Sequence, residues 1–339
     1  MSVQPVPYPD ANPIRVQGRP SLVEGLERHL VALSAILDRL ADRVVLFRYR
    51  EWVFVSFGLF GALGAVLTTG LMGAILVGQG VAPGVFLGMA LLGSAAVVGG
   101  SWLLGQAFDY RLLLEDPRKA LRRPVFVSWG GVLGLALTLM LFASLSGPGV
   151  LTLLDALARS IFLGHAVGRI GCLAYGCCYG RPTRGPLAIT YRNPQAKAVR
   201  VGHRHGIPLH PAALYEAALE LALLVAVNAI ALYGAPLGAP TALAAVGYGC
   251  IRFSVEFSRD QADRAVIGSL SLNHLIALAV IGFGAGVAAL ALPGGLGVAP
   301  AVSWSASLSA APWLASASVP GALVIFVGFS LHRGGVGRW

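Results

Sequence analysis

Long apolar segments, each the length of a membrane-crossing helix, constrain this chain more than any other feature. They lie at roughly 52–78, 81–108, 125–146, 150–171, 211–233, 238–257, 268–292 and 312–331. About 20 apolar helical residues cross the ~30 Å hydrocarbon core of a bilayer. Only 12% of the 339 residues are charged, against about 25% in ordinary soluble proteins. This composition excludes a soluble enzyme and an intrinsically disordered protein.

The segments predict an all-α polytopic membrane protein with seven or eight transmembrane helices. The chain has 44 glycines and few stretches that alternate as barrel strands do, which favours helices over a barrel. One span, about 150–171, is interrupted by Asp155, Arg159, His165 and Arg169, and we expect it to be polar or partly re-entrant. Asp155 and Arg159 are four residues apart, so on a helix they can neutralise each other. That pair either serves the function or only holds helices together.

The two ends of the chain differ from its centre. Residues 1–20 are polar and rich in proline, and we expect a disordered tail rather than a signal peptide. From Ser21 to about Val45, apolar residues recur at steps of three and four, which predicts an amphipathic helix on the membrane surface or docked on the bundle. Residues 293–311 are expected to form a loop before the last span. The predicted divisions are 1–50, a catalytic core over 51–292, and 293–339.

The net charge of +10 is unevenly placed. If all eight segments span, 22 of the 25 lysines and arginines fall on one side, in 1–51, 109–124, 172–210, 258–267 and 332–339. The other three, Arg159, Arg169 and Arg252, lie inside spans. The positive-inside rule places the basic side in the cytoplasm.

Three polar motifs interrupt the apolar pattern of residues 164–257. The glycine-rich run 164–183 carries Arg169, and a buried guanidinium requires an anion such as a lipid phosphate. His210-Pro-Ala-Ala-Leu-Tyr-Glu216 opens a span. Tyr248, Arg252 and Glu256 are spaced by four and therefore share one helical face. Ionisable residues inside a membrane indicate a functional site.

The order of these motifs resembles the prolipoprotein diacylglyceryl transferase family. The likeness rests on Gly168-Arg-Ile-Gly171 with its glycine-rich continuation to Thr183, the His210 to Glu216 motif, and Gly247-Tyr-Gly-x-x-Arg-Phe-x-x-Glu256. Trp129-Gly130-Gly131 looks like the family's His-Gly-Gly segment. The resemblance covers about residues 52–292.

The family resemblance implies a specific reaction. A cysteine thiol of a prolipoprotein takes the diacylglyceryl group of phosphatidylglycerol, forming a thioether and releasing glycerol phosphate. Arg169 and Arg252 would hold the phosphate, while Tyr248 and Glu256 orient the arginines or the head group. The other positions implied to line the substrate site are Tyr215, Glu216, Gly130, Gly131, Gly171, Trp129, Cys172 and Cys177. The resemblance also implies the inner, cytoplasmic membrane of a bacterium and a site on its outer leaflet, against the charge count.

This chain departs from the family at three polar positions. Trp129 stands where the family has a histidine, Cys172 replaces an asparagine and Cys177 an acidic residue. Tryptophan cannot accept a proton, so His165 and His210 are the candidate bases, each with a purely structural role as the alternative. Lipid binding is therefore better supported by the sequence than the family's own reaction.

The cysteines leave several interpretations open. Cys172, Cys177 and Cys178 follow a C-x4-CC pattern, which does not match the usual C-x2-C pairs of zinc sites. Thiols without a special role are the first interpretation; a thiol relay, a metal site or a Cys172–Cys178 bridge are the others. We expect no metal ion and no organic cofactor.

Partners follow from the same residues. The expected partners are phosphatidylglycerol or another anionic phospholipid, the lipobox cysteine of a prolipoprotein, and the membrane. The basic connection 172–210 either lies against anionic head groups or guides a substrate, and it lacks a folded nucleic-acid-binding motif. The alternatives are a diverged transferase with another acceptor and a non-catalytic phospholipid-binding protein. A transporter is less attractive because no internal repeat is seen.

Overall fold

Apolar helices form the body of the protein in a computed structural model that describes residues 22–122, 126–260, 265–268, 270–293 and 297–337. The helices are α1 (Leu22–Ala41), α2 (Ser56–Gly78), α3 (Pro83–Phe108), α4 (Tyr110–Glu115), α5 (Pro117–Arg122), α6 (Ser128–Ser146), α7 (Val150–Ala158), α8 (Ile161–Tyr175), α9 (Lys197–Arg200), α10 (Ala212–Leu232), α11 (Ala239–Glu256), α12 (Leu272–Ala291), α13 (Trp304–Ser309) and α14 (Ala311–Ser330). The strands are β1 (Val45–Tyr49), β2 (Trp52–Val55), β3 (Ile189–Thr190), β4 (Pro208–Leu209), β5 (Ala265–Ile267), β6 (Leu270–Ser271) and β7 (Leu331–Arg333).

The long helices confirm a polytopic membrane protein. Within the described ranges, α2, α3, α6, α10, α12 and α14 are long and apolar enough to cross a bilayer. The pair α7 and α8 adds a seventh span if it counts as one, bent by 46° at its break. The predicted eighth span is α11, which is 18 residues long and carries Arg252 and Glu256.

A small sheet joins the chain segments that precede α2 and follow α14. β2 pairs antiparallel with β1 on one side and with β7 on the other. The chain therefore enters α2 and leaves α14 at the same end of the bundle. An even number of crossings meets that condition: the six long helices alone meet it, and so do eight spans if the bent pair and α11 are each counted as one.

Four of the five basic segments meet at that end. The carboxylate of Asp42 accepts the backbone N–H of Asn193 at 2.8 Å, which joins the N-terminal segment to the 172–210 connection. Arg181 Nε donates to the carbonyl of Arg259 at 3.0 Å, and the N–H of Gly334 donates to the carbonyl of Glu51 at 2.7 Å. The basic segments thus lie together at one end of the bundle, as the charge count used to predict the orientation in the membrane requires.

Helix α1 is docked, as one of the two alternatives for it predicted. Leu37 and Leu40 pack on a buried cluster that includes Val44, Leu173 and Tyr191. Asp38 accepts the backbone N–H of Thr190 at 2.8 Å. The expected loop at 293–311 is wrong in part, because Ser303 caps the short helix α13 by accepting from the N–H of Ala306.

The polar span is bent between α7 and α8, before its glycine-rich run begins. Within that run, Gly164, Gly168 and Gly171 lie inside α8, and Gly176 ends the helix in a left-handed conformation (φ 71°). Gly164 is required for packing, because a Cβ there would lie 2.1 Å from the carbonyl oxygen of Gly64 in α2. Asp155 and Arg159 do not pair directly.

Asp155 caps the start of α11 instead. Its two carboxylate oxygens accept the backbone N–H groups of Gly238 at 2.8 Å and Thr241 at 3.0 Å. Arg159 Nε donates to Asn228 Oδ1 at 3.3 Å. A carboxylate at a helix N-terminus satisfies amides that have no partner within the helix and favours the helix dipole. Asp155 therefore positions α11, the helix that carries Arg252.

A histidine in the small sheet makes stability depend on pH. Burial and the nearby Arg200 guanidinium lower the pKa of His332 to about 4, from 6.5, and its Nδ1 accepts the N–H of Gly337 at 2.7 Å. The unfolded chain takes up this proton first as the pH falls, so the stabilisation is complete above about pH 6.5 and is lost toward pH 4. We expect the wild type to lose about 1–2 kcal/mol between pH 7.5 and 5 from this group.

Thermal unfolding in detergent at the two pH values measures the effect. The variant His332→Gln keeps an acceptor but does not titrate, so its unfolding temperature should change less between the two pH values. An equal change in both proteins would exclude His332 as the source.

Candidate functional site

Three neighbouring helices present polar side chains to one another near the basic end of the bundle. On α8, His165, Arg169 and Cys172 are spaced by four and three residues and share one face. On α10, Glu216 and Glu220 are four apart, and α11 carries the predicted stripe of Tyr248, Arg252 and Glu256. Arg169, Glu216 and Arg252 stand in separate motifs of the sequence, and the structure brings them into direct contact.

The carboxylate of Glu216 lies at the centre of three arginines. It is fully buried and accepts a hydrogen bond from Arg169 Nη2. Arg259 Nη2 donates to its other oxygen at 2.6 Å, and Arg252 Nη1 lies 3.7 Å from that same oxygen. A single carboxylate in contact with three guanidiniums holds them together without neutralising all of them.

Glu256 supports the arginines from the next turn of α11. Its carboxylate lies 2.9 Å from Arg252 Nη1 and 3.7 Å from Arg259 Nε. Asn273 Nδ2 donates to its other oxygen at 2.7 Å, and the hydroxyl of Ser271 at 3.1 Å. The carboxylate is therefore held beside Arg252 by neutral donors of α12 and its N-cap, and its role in orienting Arg252 stays a prediction.

The arginine cluster keeps the capacity to bind an anion. Three guanidiniums, those of Arg169, Arg252 and Arg259, face the two carboxylates of Glu216 and Glu256, which leaves one positive charge. Each of these arginines has a buried nitrogen that makes no hydrogen bond among the described residues: Arg169 Nε, Arg252 Nη1 and Arg259 Nε. Of these, Arg252 Nη1 and Arg259 Nε lie within ion-pair distance of Glu256. A buried donor is costly unless it is paired, and within the described part of the chain Arg169 Nε has neither a hydrogen bond nor an ion pair. With its net positive charge, the cluster therefore fits a singly charged ligand that offers acceptor oxygens.

The two candidate bases have different surroundings. His165 Nδ1 lies 2.7 Å from the buried Glu220 Oε1, and its ring meets that of Tyr248 edge-on at 5.8 Å. His210 Nδ1 instead lies 3.2 Å from the Tyr215 hydroxyl. His165 therefore has a buried carboxylate beside it that can fix the orientation of its ring, whereas His210 and Tyr215 contact each other.

The three clustered cysteines adjoin the arginines. All four cysteines of the chain are free, so the Cys172–Cys178 bridge is not formed. The sulfurs of Cys172, Cys177 and Cys178 lie within 4.8 Å of one another, and Arg169 Nη1 lies 3.7 Å from Cys178 Sγ. Hydrogen bonds from the other two thiols lower the pKa of Cys178 well below its ordinary value, and Arg259 and Arg169 lower it further.

Other predicted substrate residues have packing contacts. A Cβ on Gly130 would lie 2.0 Å from the carbonyl oxygen of Gly100 in α3, and one on Gly131 2.7 Å from the Ser101 hydroxyl. Gly171 similarly faces Phe60 and Phe57 of α2. Trp129 is half-buried at the start of α6. These contacts explain the glycines as close helix crossings, and a role in substrate binding stays a prediction.

Two residues of the site, Arg259 and Glu220, were not predicted from the sequence. Arg259 lies seven residues after Arg252, two helical turns along the same stripe, but just beyond the end of α11. Glu220 follows Glu216 by four residues and faces His165. The spacing was present in the sequence in both cases. Only the tertiary contacts identify the partners.

Comparison with known proteins identifies the family. The family model described as prolipoprotein diacylglyceryl transferase matches residues 44–290. A phosphatidylglycerol–prolipoprotein diacylglyceryl transferase of Clostridium tetani is 29% identical over 240 residues, covering 67% of this chain and 93% of that protein. A protein of the same name from Bordetella bronchiseptica is 32% identical over 199 residues, covering 55% of this chain and 71% of that protein. With most of its length matched by the family model, and with the arginine cluster in place, this chain belongs to the prolipoprotein diacylglyceryl transferase family.

Proposed function

We propose that this protein transfers the diacylglyceryl group of phosphatidylglycerol to a cysteine thiol of a prolipoprotein, in the inner membrane of a bacterium. The observation that carries the proposal is the arginine cluster of Arg169, Arg252 and Arg259 around Glu216. Residues 51–292 act as the catalytic core in this proposal, with 1–50 and 293–339 flanking it. The relatives' names supply the substrates.

The charge of the cluster supports a phosphodiester as the ligand. Phosphatidylglycerol carries one negative charge at its phosphate, which matches the one positive charge that the two carboxylates leave on the cluster. Guanidinium groups bind phosphate oxygens through paired N–H donors, and Arg169 keeps a buried Nε that makes no hydrogen bond to any described residue. Because the site is shielded from water, these contacts are stronger than the same contacts on a surface.

The reaction forms one bond and breaks one. The acceptor sulfur attacks the glyceryl carbon that carries the phosphodiester oxygen, the C–S bond forms, and the C–O bond breaks. Negative charge develops on the departing glycerol phosphate, where the arginines stabilise it. The thiol must lose its proton because the thiolate is the nucleophile. His165, held by Glu220, accepts that proton in this scheme.

A reconstitution assay tests the reaction. Purified full-length protein is incubated with phosphatidylglycerol labelled in its diacylglyceryl group and a peptide containing a lipobox cysteine. We expect thioether-linked lipid on the peptide and an equal amount of released glycerol phosphate. Phospholipid binding without either product would support a non-catalytic lipid-binding protein, whereas glycerol phosphate release without peptide modification would indicate another acceptor.

The side of the membrane is a separate prediction. A prolipoprotein acceptor is reached after translocation, so we expect the basic end to face outward despite its 22 lysines and arginines. Since β7 lies at the same end as the site, alkaline phosphatase fused to the C-terminus should be active in intact cells and a fluorescent protein fused there should be dark. The opposite pair of results would exclude the prolipoprotein acceptor.

A further inference from the structure

Three thiols beside the phosphate-binding arginines have no role in the reaction described so far. The sulfurs of Cys172, Cys177 and Cys178 all lie within 4.8 Å of one another, and those of Cys177 and Cys178 are 3.9 Å apart. Thiolates bind zinc at about 2.3 Å, so three of them around one ion lie about 3.8–4.0 Å apart. The three sulfurs therefore already stand near the spacing of a metal site.

The turn after α8 explains how a C-x4-CC pattern reaches this geometry. Gly176 ends the helix in the left-handed conformation, and its N–H donates to the carbonyl of Cys172 at 2.9 Å. The N–H of Cys177 donates to that same carbonyl at 3.1 Å. The chain folds back on its last turn, so both later cysteines lie over Cys172. The C-x4-CC spacing did not indicate a metal site because the turn at Gly176 cannot be recognised from the spacing of the cysteines alone.

The charges around the sulfurs fit a divalent ion. Three thiolates with one divalent cation carry one net negative charge. Arg169 Nη1 lies 3.7 Å from Cys178 Sγ and donates to it, as groups outside a metal site commonly hydrogen-bond its ligands. Thiolate ligands select zinc and similar soft ions over magnesium or calcium.

Among the described residues, this group of possible metal ligands contains three members and no fourth. Structural zinc sites have four protein ligands, whereas catalytic sites have three and leave one position for a substrate. The neighbouring arginines are the groups that hold the phospholipid in the proposed reaction, so an open position here would face the other substrate.

We propose that Cys172, Cys177 and Cys178 bind a zinc-class divalent cation whose fourth position takes the acceptor thiol. The binding site itself is independent of the proposed transferase function, and the role of its open position rests on that function. A thiol that coordinates such an ion is deprotonated outright. The ion would thus favour the thiolate that His165 must generate in this chain, where Trp129 occupies the position of the family histidine.

The step balances without an oxidant or reductant. The acceptor thiol binds the cation and releases its proton to His165, the base of the proposed reaction. The bound sulfur then attacks the glyceryl carbon, and the C–S bond forms as the C–O bond to phosphate breaks. The phosphate leaves with the electron pair and stays on the arginines. The thioether is neutral, binds the cation weakly and dissociates.

Metal content is the direct test. The full-length protein, purified under reducing conditions and without chelating resin, is analysed by elemental mass spectrometry and then reloaded with Co2+. We expect about one equivalent of zinc, and an intense sulfur-to-cobalt charge-transfer absorption after reloading. Cys172→Ser and Cys178→Ser should each lose most of the zinc and the absorption. Cys250→Ser is the matched control, because this exposed cysteine lies on α11 outside the cluster.

The results separate the metal site from the transferase function. If the wild type contains no zinc and cannot be loaded with it, the proposed metal site is wrong. The same holds if zinc persists in both Cys172→Ser and Cys178→Ser. If zinc is bound at the cysteines but the assay shows no thioether product with or without it, the site stands and the proposed function fails. If activity is unchanged after complete removal of the ion, the open position does not activate the thiol.

Discussion

Replacing Arg169 by glutamine is expected to lower kcat/KM for thioether formation by about 10²–10³, the usual effect of removing one donor that stabilises developing charge. The side chain is buried, donates to Glu216, and keeps one nitrogen without a hydrogen bond for a ligand. Glutamine is polar but removes the positive charge. The cluster then has as many negative as positive charges, so binding of an anionic phospholipid should weaken as well as turnover.

The measurement is the initial rate of lipid transfer at several phosphatidylglycerol concentrations, together with binding to vesicles. Arg192→Gln is the matched control, because that side chain is 62% exposed and pairs with Asp38 at 3.6 Å on the surface; such pairs contribute little. Should Arg169→Gln retain the wild-type kcat/KM, the arginine cluster could not be the phosphate site.

The helices of this protein could be predicted from sequence because their signals are local. An apolar run of about 20 residues determines a span without reference to its neighbours. The four-residue spacing of Tyr248, Arg252 and Glu256 likewise predicts a common face, and Arg252 contacts Glu256 as that spacing requires. Arginines within apolar segments indicated the site for the same reason, since an isolated charge there is costly.

The pairings between helices could not be predicted in this way. Asp155 has Arg159 four residues away, but its oxygens are taken by the start of α11, more than 80 residues later. The amides at that helix start have no partner within their own helix and lie close to both carboxylate oxygens. Arg259 was missed because its partner Glu216 lies on another helix. The cysteine cluster depends on the left-handed conformation of Gly176, which cannot be predicted from the spacing of the cysteines.

Replacing Glu216 by glutamine should separate the positioning of the arginines from the binding of phosphate. The carboxylate touches all three guanidiniums, and without its charge the cluster rises from one to two net positive charges. Binding of an anionic phospholipid should therefore persist, whereas kcat should fall by about 10², because arginines that are no longer held in place stabilise the leaving group less well.

The unfolding temperature, measured in neutral detergent with and without added phosphatidylglycerol, distinguishes this effect from simple misfolding. Breaking a buried charge network by removal of one partner costs about 3–5 kcal/mol, so the unfolding temperature of Glu216→Gln in neutral detergent should drop well below that of the wild type. Added phosphatidylglycerol supplies a negative charge to the arginines, so it should raise the unfolding temperature of Glu216→Gln more than that of the wild type. The control Glu115→Gln changes an exposed residue and should behave as the wild type does. If folded Glu216→Gln protein no longer bound the phospholipid, Glu216 could not be only a positioning residue. The carboxylate itself, rather than the arginines that it holds, would then determine whether the lipid binds.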